Sequence, residues 1–277
     1  MKTIHVAHSP DSDDAFMFYA LAEGKIDTGD IRYVHELQDI ETLNQRALRA
    51  ELEVTAVSIH AYAYLSDRYA LLPHGASMGD RYGPRLVARE PLTKSEVRGQ
   101  RVAVPGLLTS AYLALRLFEP DFTPVVTPFD EIEDAVVEGR VELGLLIHEG
   151  QLTFGDRGLH LVADMGEWWF QNTGLPLPLG GNVIRKDLGG PLIQRISRQL
   201  RDSIAYGLDH RTAALDHSMK YARGLERAKA DTFVGMYVND WTLDYGERGR
   251  RAVREFLRRG VESGVVTREV DVRFVDD

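Results

Sequence analysis

Four stretches of this chain share one layout: an apolar β-like run, then a polar residue, then usually a helix-like pattern. They are residues 4–8 leading into 9–14, 52–57 into 58–60, 101–104 into 109–110, and 141–147 into 148–149. In an open parallel α/β sheet, ligands bind in the crevice beyond the carboxyl ends of the strands. The layout therefore predicts an α/β fold in which Asp14, Ser58, Thr109, Ser110 and His148 converge on one cleft although they lie far apart in sequence.

A pass along the chain supports two such units. Residues 4–8 read as a short buried strand, and Asp11 or Ser12 is placed to cap the helix that follows. A second strand is expected over 31–37, an amphipathic helix over 39–50, a third strand over 53–57 and a further strand over 85–90. The layout then restarts, with strands over 101–104, 124–127, 142–147 and 159–164 and helices over 109–118 and 129–138. Residues 176–185 form an extended segment, and the remainder from 192 is mostly helical. The restart near 93 and the return near 176 predict a discontinuous larger lobe, 1–92 with 176–277, and an inserted smaller lobe, 93–175. Two crossings of that kind make a hinge with a cleft between the lobes.

Composition narrows the function. With no cysteine among the 277 residues, disulfides, thiolate metal sites and a cysteine nucleophile are excluded. A formal net charge of −9 without a basic stripe argues against nucleic acid or an anionic membrane surface as a partner. No run approaches the ~20 apolar residues of a membrane span. The few apolar residues after Met1 fall short of the roughly 7–15 of a signal-peptide core, so a cytoplasmic protein is expected.

Each candidate residue also has an ordinary structural role. Asp14 lies in a helical first turn, where carboxylates complement the helix dipole. Ser58 suits an N-cap, and caps at cleft-facing helix ends also receive anions. Thr109 and Ser110 follow the turn at Pro105-Gly106 and offer hydroxyls and backbone N–H groups to a carboxylate or phosphate, without the glycines and lysine of a P-loop. His148 ends the apolar run L-G-L-L-I, where a core histidine is also at home; its ordinary pKa near ~6.5 makes it the natural acid or base at neutral pH. Arg81, Arg85 and Arg101 are equivalent candidates for pairing with a carboxylate, Trp168 and Trp169 suit either ligand stacking or core filling, and Trp241 and Tyr245 suit either a homodimer interface or the core. No histidine pair has the spacing of an HExxH metal site.

Six stretches carry a family resemblance: S-P-D-S-D-D-A-F-M-F-Y-A-L at 9–21, D-I-E-T-L-N at 39–44, V-S-I-H-A-Y-A-Y at 57–64, V-A-V-P-G-L-L-T-S-A-Y at 102–112, E-L-G-L-L-I-H-E at 142–149 and T-G-L-P-L-P-L-G at 173–180. Together they resemble the 1,4-dihydroxy-6-naphthoate synthases of the futalosine route to menaquinone, with matches in order from about residue 4 to 265. The resemblance implies a two-lobed fold of the type II periplasmic-binding-protein kind. It implies a lyase acting on cyclic dehypoxanthinyl futalosine, an aromatic carboxylate, with no metal or organic cofactor. It places a proton acceptor at His148, an acidic site residue at Asp14, and substrate-binding residues at Ala56, Val57, Ser58, Thr109 and Ser110. The first motif departs from the family form S-P-C-P-N-D-T-F: Asp11, Ser12, Asp13 and Ala15 stand where that form has Cys, Pro, Asn and Thr, which adds negative charge beside the site. Two rivals share the fold, a chorismate dehydratase of the same route and a non-catalytic solute-binding protein for an aromatic carboxylate. Fold alone does not separate them; the lack of a signal peptide is expected to count against the binder.

Overall fold

The computed structural model describes residues 1–222 and 224–277. Its first sheet contains β1 (Lys2–His8), β2 (Ile31–Leu37), β3 (Val54–Ser58), β4 (Tyr69–Leu71), β5 (Ser77–Gly79) and, from much later in the chain, β11 (Leu177–Arg185). The second contains β6 (Arg85–Ala88), β7 (Arg101–Val104), β8 (Thr123–Val126), β9 (Leu143–Leu146) and β10 (His160–Asp164). The first runs β2-β1-β3-β11-β4, with β5 also pairing β11, and the second runs β10-β6-β9-β7-β8.

The two sheets repeat one device. Strand β1 lies parallel between β2 and β3, and β7 lies parallel between β8 and β9. An antiparallel strand then follows in each sheet, β11 against β3 and β6 against β9. The central strands V-T-A-V-S and L-G-L-L are buried at every position, so they show no alternation of apolar and polar residues. In each half the strand order reverses at a central pair, β1/β3 and β7/β9, and such a switch point opens a crevice at the carboxyl ends.

Hydrogen bonding sets where the chain changes sheets. The sequence reading placed the restart at 93, but β6 already pairs with β9 in the second sheet, because residues 85–88 are apolar and find their partner there. The return is at β11, one residue after 176. The two crossing segments touch. A Cβ added to Gly166 would lie 1.8 Å from the Tyr82 carbonyl oxygen, and one added to Gly83 would lie 2.8 Å from the Gly166 nitrogen. Only glycine fits there.

The C-terminal helices cover the first lobe. Tyr245 is fully buried, edge-on to Phe274 at 5.1 Å, so it is a core residue. Trp169 is also fully buried and donates its indole N–H to the Pro176 carbonyl, while Trp168 meets Phe118 edge-on; both pack as core rather than facing the cleft. Among the described residues no helix is long and apolar enough to cross a membrane.

The crossing gives a stability test. Gly166→Ala forces a methyl against backbone, and overpacking of that kind costs about 1–3 kcal/mol. Its melting temperature should fall by several degrees, while Gly155→Ala, which meets nothing within 4 Å, should melt like the parent. Equal melting of the two variants by circular dichroism would show that the crossing is not tightly packed.

Candidate active site

The carboxyl ends of β1, β3, β7 and β9 face one another across a cleft with about 740 Å³ of empty space, its open mouth included. Asp14, Ala56, Val57, Ser58, Thr109, Ser110 and His148 all line it. Asp11, Asp13, Gln151, Asn182 and Tyr237 line it too and were not singled out from sequence.

His148 follows β9 with a left-handed backbone, φ 61°. That region is uncommon for residues other than glycine, although histidine is among those that enter it most readily. The turn aims the ring back towards the other lobe. There its Nδ1 meets Asp11 Oδ2 at 2.8 Å. A carboxylate only accepts, so in the neutral imidazole Nδ1 carries the proton and Nε2 keeps the lone pair. Nε2 has no protein partner, and Phe129 holds the ring edge-on at 4.5 Å. Burial alone would lower the imidazole pKa. The charge and hydrogen bond of Asp11, with Glu149 and Asp13 nearby, more than offset it, and the pKa is raised.

Asp11 occupies the N-cap position of the helix Ser12–Met17 but makes no capping hydrogen bond. Its side chain is taken by His148 and by the Ser9 hydroxyl. Asp14, the acidic site residue that the resemblance implies, accepts the Ser9 backbone N–H at 2.7 Å and so ties the β1 turn to the helix. Burial raises its pKa to about 7; the Ser9 N–H lowers it and the Asp11 charge raises it. Asp13 is pushed up as well, first by burial and then by Asp14 and Asp11.

The hydroxyl residues divide by role. Thr109 Oγ1 donates to the Gly106 carbonyl at 2.8 Å and accepts the Tyr112 N–H at 3.2 Å, so it caps the helix Ser110–Phe118. Ser110 Oγ donates to the Leu179 carbonyl at 2.6 Å and accepts the His60 N–H at 3.1 Å. Both hydroxyl protons are committed, and what this corner offers a ligand is the N–H groups of the helix start. Ser58 differs: Asn44 donates to its Oγ at 3.2 Å and accepts its N–H at 2.9 Å, which leaves the hydroxyl proton for a ligand. Asn182 presents a buried, unpartnered Nδ2, and Gly75 opposite admits no side chain because a Cβ would lie 2.1 Å from that nitrogen. Tyr237 bonds the Gln151 amide at 2.8 Å.

The arginines considered from sequence are engaged elsewhere. Arg85 pairs with Asp164 at 3.4 Å, Arg101 with Glu142 at 2.7 Å, and Arg81 stacks on Phe170. Among the described residues lining the cleft, none is Lys or Arg. No three acidic or histidine side chains among the described residues are arranged to hold a metal ion.

Asp11 was passed over because an Asp before a helix reads as a cap, and Asn182 because a lone Asn in an apolar strand carries no spacing signal. The signal available was position: Asn182 follows Gly180-Gly181 on the strand beside β3.

The structure defines a two-lobed α/β protein with a buried imidazole–carboxylate pair between its lobes. The chain belongs to the menaquinone biosynthesis family, whose model matches residues 4–262. It is similar to the 1,4-dihydroxy-6-naphtoate synthase of Thermus thermophilus, 42% identical over 265 residues and 96% of each chain. It is similar to that of Streptomyces coelicolor, 40% identical over 270 residues and 95% of each chain. The crystal structure of AF1704 from Archaeoglobus fulgidus superposes with a TM-score of 0.92 at 47% identity, over 95% of this chain and 98% of that one. The periplasmic aliphatic sulphonate binding protein SsuA of Escherichia coli shares the fold alone, with a TM-score of 0.66 at 14% identity over 98% of this chain and 91% of that one.

The Asn44–Ser58 pair yields a test of the site's support. Asn44→Ala leaves the buried Ser58 N–H without an acceptor, a loss of about 1–3 kcal/mol. The variant should melt below the parent and bind ligand more weakly, read by thermal denaturation and calorimetry; unchanged melting would mean that the pair does not hold the β3 turn.

Proposed function

We propose that this chain is a carbon–carbon lyase that converts cyclic dehypoxanthinyl futalosine to 1,4-dihydroxy-6-naphthoate. One observation carries the reading: His148 holds its Nδ1 proton on Asp11 and leaves Nε2 unpartnered in the cleft, in a chain at least 40% identical to two proteins of that name. Nε2 takes the proton of a sugar hydroxyl. As that oxygen becomes a carbonyl, the C–C bond to the spiro-cyclic ring carbon breaks in a retro-aldol sense. The released electron pair passes into the ring system, which aromatises after protonation. Asp14, with its pKa pushed up to about 7, is part-protonated near neutral pH and suits giving the ring system its proton, while the proton taken by Nε2 leaves the imidazolium to solvent. The substrate carboxylate lies against the helix start at Ser110, and Ala56, Val57, Ser58 and Asn182 line the sugar. This reading takes the partner to be a small aromatic carboxylate and the setting to be cytoplasmic.

No observation favours the rivals. A pure binder has no use for a base held in one tautomer, and the similarity in sequence is to the naphthoate synthases rather than to a dehydratase.

The test is to incubate purified protein, treated with chelator, with cyclic dehypoxanthinyl futalosine and follow dihydroxynaphthoate by absorbance and mass. A positioned general base contributes typically ~10²–10⁴-fold. His148→Ala should lose turnover on that scale while its circular dichroism spectrum persists; near-parent turnover in the folded variant removes His148 from the mechanism. Consumption of chorismate instead points to the dehydratase, and binding of an aromatic acid without turnover of either points to a solute-binding protein. The pH dependence follows from the imidazole. A base works deprotonated, and the His148 pKa is raised, so kcat/KM should climb with pH through a limb above the ordinary histidine value of ~6.5. A limb at or below that value would contradict the pairing with Asp11.

A further inference from the structure

The two members of the imidazole–carboxylate pair belong to different lobes. Asp11 stands on the turn after β1 in the first sheet, and His148 on the turn after β9 in the second. Their 2.8 Å contact therefore spans the cleft. One residue further along each turn a second bond spans it in parallel: Ser12 Oγ donates to Glu149 Oε1 at 3.1 Å. Both contacts are buried, and both are lost if the lobes part by more than an ångström or two.

We propose that Asp11 is the positioning residue for His148 and that it reaches the imidazole only when the lobes are closed, so that closing over substrate arms the base. In an open cleft the ring loses its Nδ1 acceptor and has no fixed tautomer. In the closed cleft the carboxylate fixes Nδ1–H, and Nε2 is the basic atom facing the substrate. The protein then has little competent base to offer water or a wrong ligand that fails to draw the lobes together, which is the logic of a conformational step completing a catalytic constellation. The turnover arm of the test rests on the function proposed above; the titration arm does not.

Asp11→Asn keeps an oxygen able to accept from Nδ1 but removes the charge, and Asp11→Ala removes both. The ionisable and polar groups around the imidazole are Asp11 and Asp13 from the β1 turn, Asp14 behind them, Glu149 beside it, and the Tyr237–Gln151 pair. All but Asp11 are unchanged in the variants. The protein labelled with ¹⁵N-histidine is titrated by NMR, free and with added 1,4-dihydroxy-6-naphthoate, for parent and both variants.

In the parent, ligand should move His148 to a higher pKa and towards the Nδ1–H tautomer. In Asp11→Asn the pKa should fall below that of the parent and respond less to ligand, and in Asp11→Ala the tautomer preference should also disappear. With cyclic dehypoxanthinyl futalosine, kcat should fall about 10²-fold in Asp11→Ala and less in Asp11→Asn, with the acid limb of the profile moved to lower pH and KM little changed. A merely structural Asp11 would lower the melting temperature and leave the His148 titration and pH limb where they are, which would overturn the proposal. A parent that turns over no substrate while its titration still depends on Asp11 would refute the function and leave the pairing standing.

Discussion

The relation between the two lobes depends on a close crossing of backbones. The chain passes from β5 to β6 and returns from β10 to β11, and the two segments meet at the Tyr82 carbonyl. A Cβ on Gly79 would lie 2.0 Å from that oxygen and one on Gly166 1.8 Å from it. Backbone packed this tightly fixes how the two segments pass one another, and the carboxyl ends of β1 and β3 face those of β7 and β9. The ligand-facing groups come from turns that share no sequence neighbourhood, and the crossing brings them into one cleft.

The cleft places carboxylates where water is scarce, and burial disfavours the charged form. Each acid answers this differently. Asp11 is met by the imidazole, while Asp13 and Asp14 have their pKa values raised. An arginine here would have settled the acids as anions. Without one among the described lining residues, burial holds the pKa values of Asp13 and Asp14 above the usual carboxylate range, and the helix start at Ser110 offers free N–H groups.

Much of this was legible in the sequence because it rests on period and punctuation. Continuous apolar runs marked the buried parallel strands, and polar residues just beyond them marked the cleft. What was not legible was pairing. The run S-P-D-S-D-D holds three aspartates that look alike as caps, and nothing local says that Asp11 turns to a histidine in the other lobe while Asp14 holds the Ser9 amide. The hydroxyls of Thr109 and Ser110 read as ligand donors because sequence cannot show that the Gly106 and Leu179 carbonyls take their protons. The edge of the second lobe was missed for a similar reason: residues 85–88 suit a strand in either sheet, and only the partner β9 decides.

The departures from the family form of the first motif fall on these pairings. Where that form has Cys and Pro, this chain has Asp11 and Ser12, and these residues bond His148 and Glu149 across the cleft. A thiol at position 11 would be a weak, uncharged partner for the imidazole. A proline at 12 would have no hydroxyl to donate to Glu149. The two substitutions therefore act on one contact between lobes: together they make two polar bonds in the closed form that the Cys-Pro version could not make. Of the two added carboxylates, Asp11 is held against the imidazole, and the I-H-E run of the second lobe is retained unaltered.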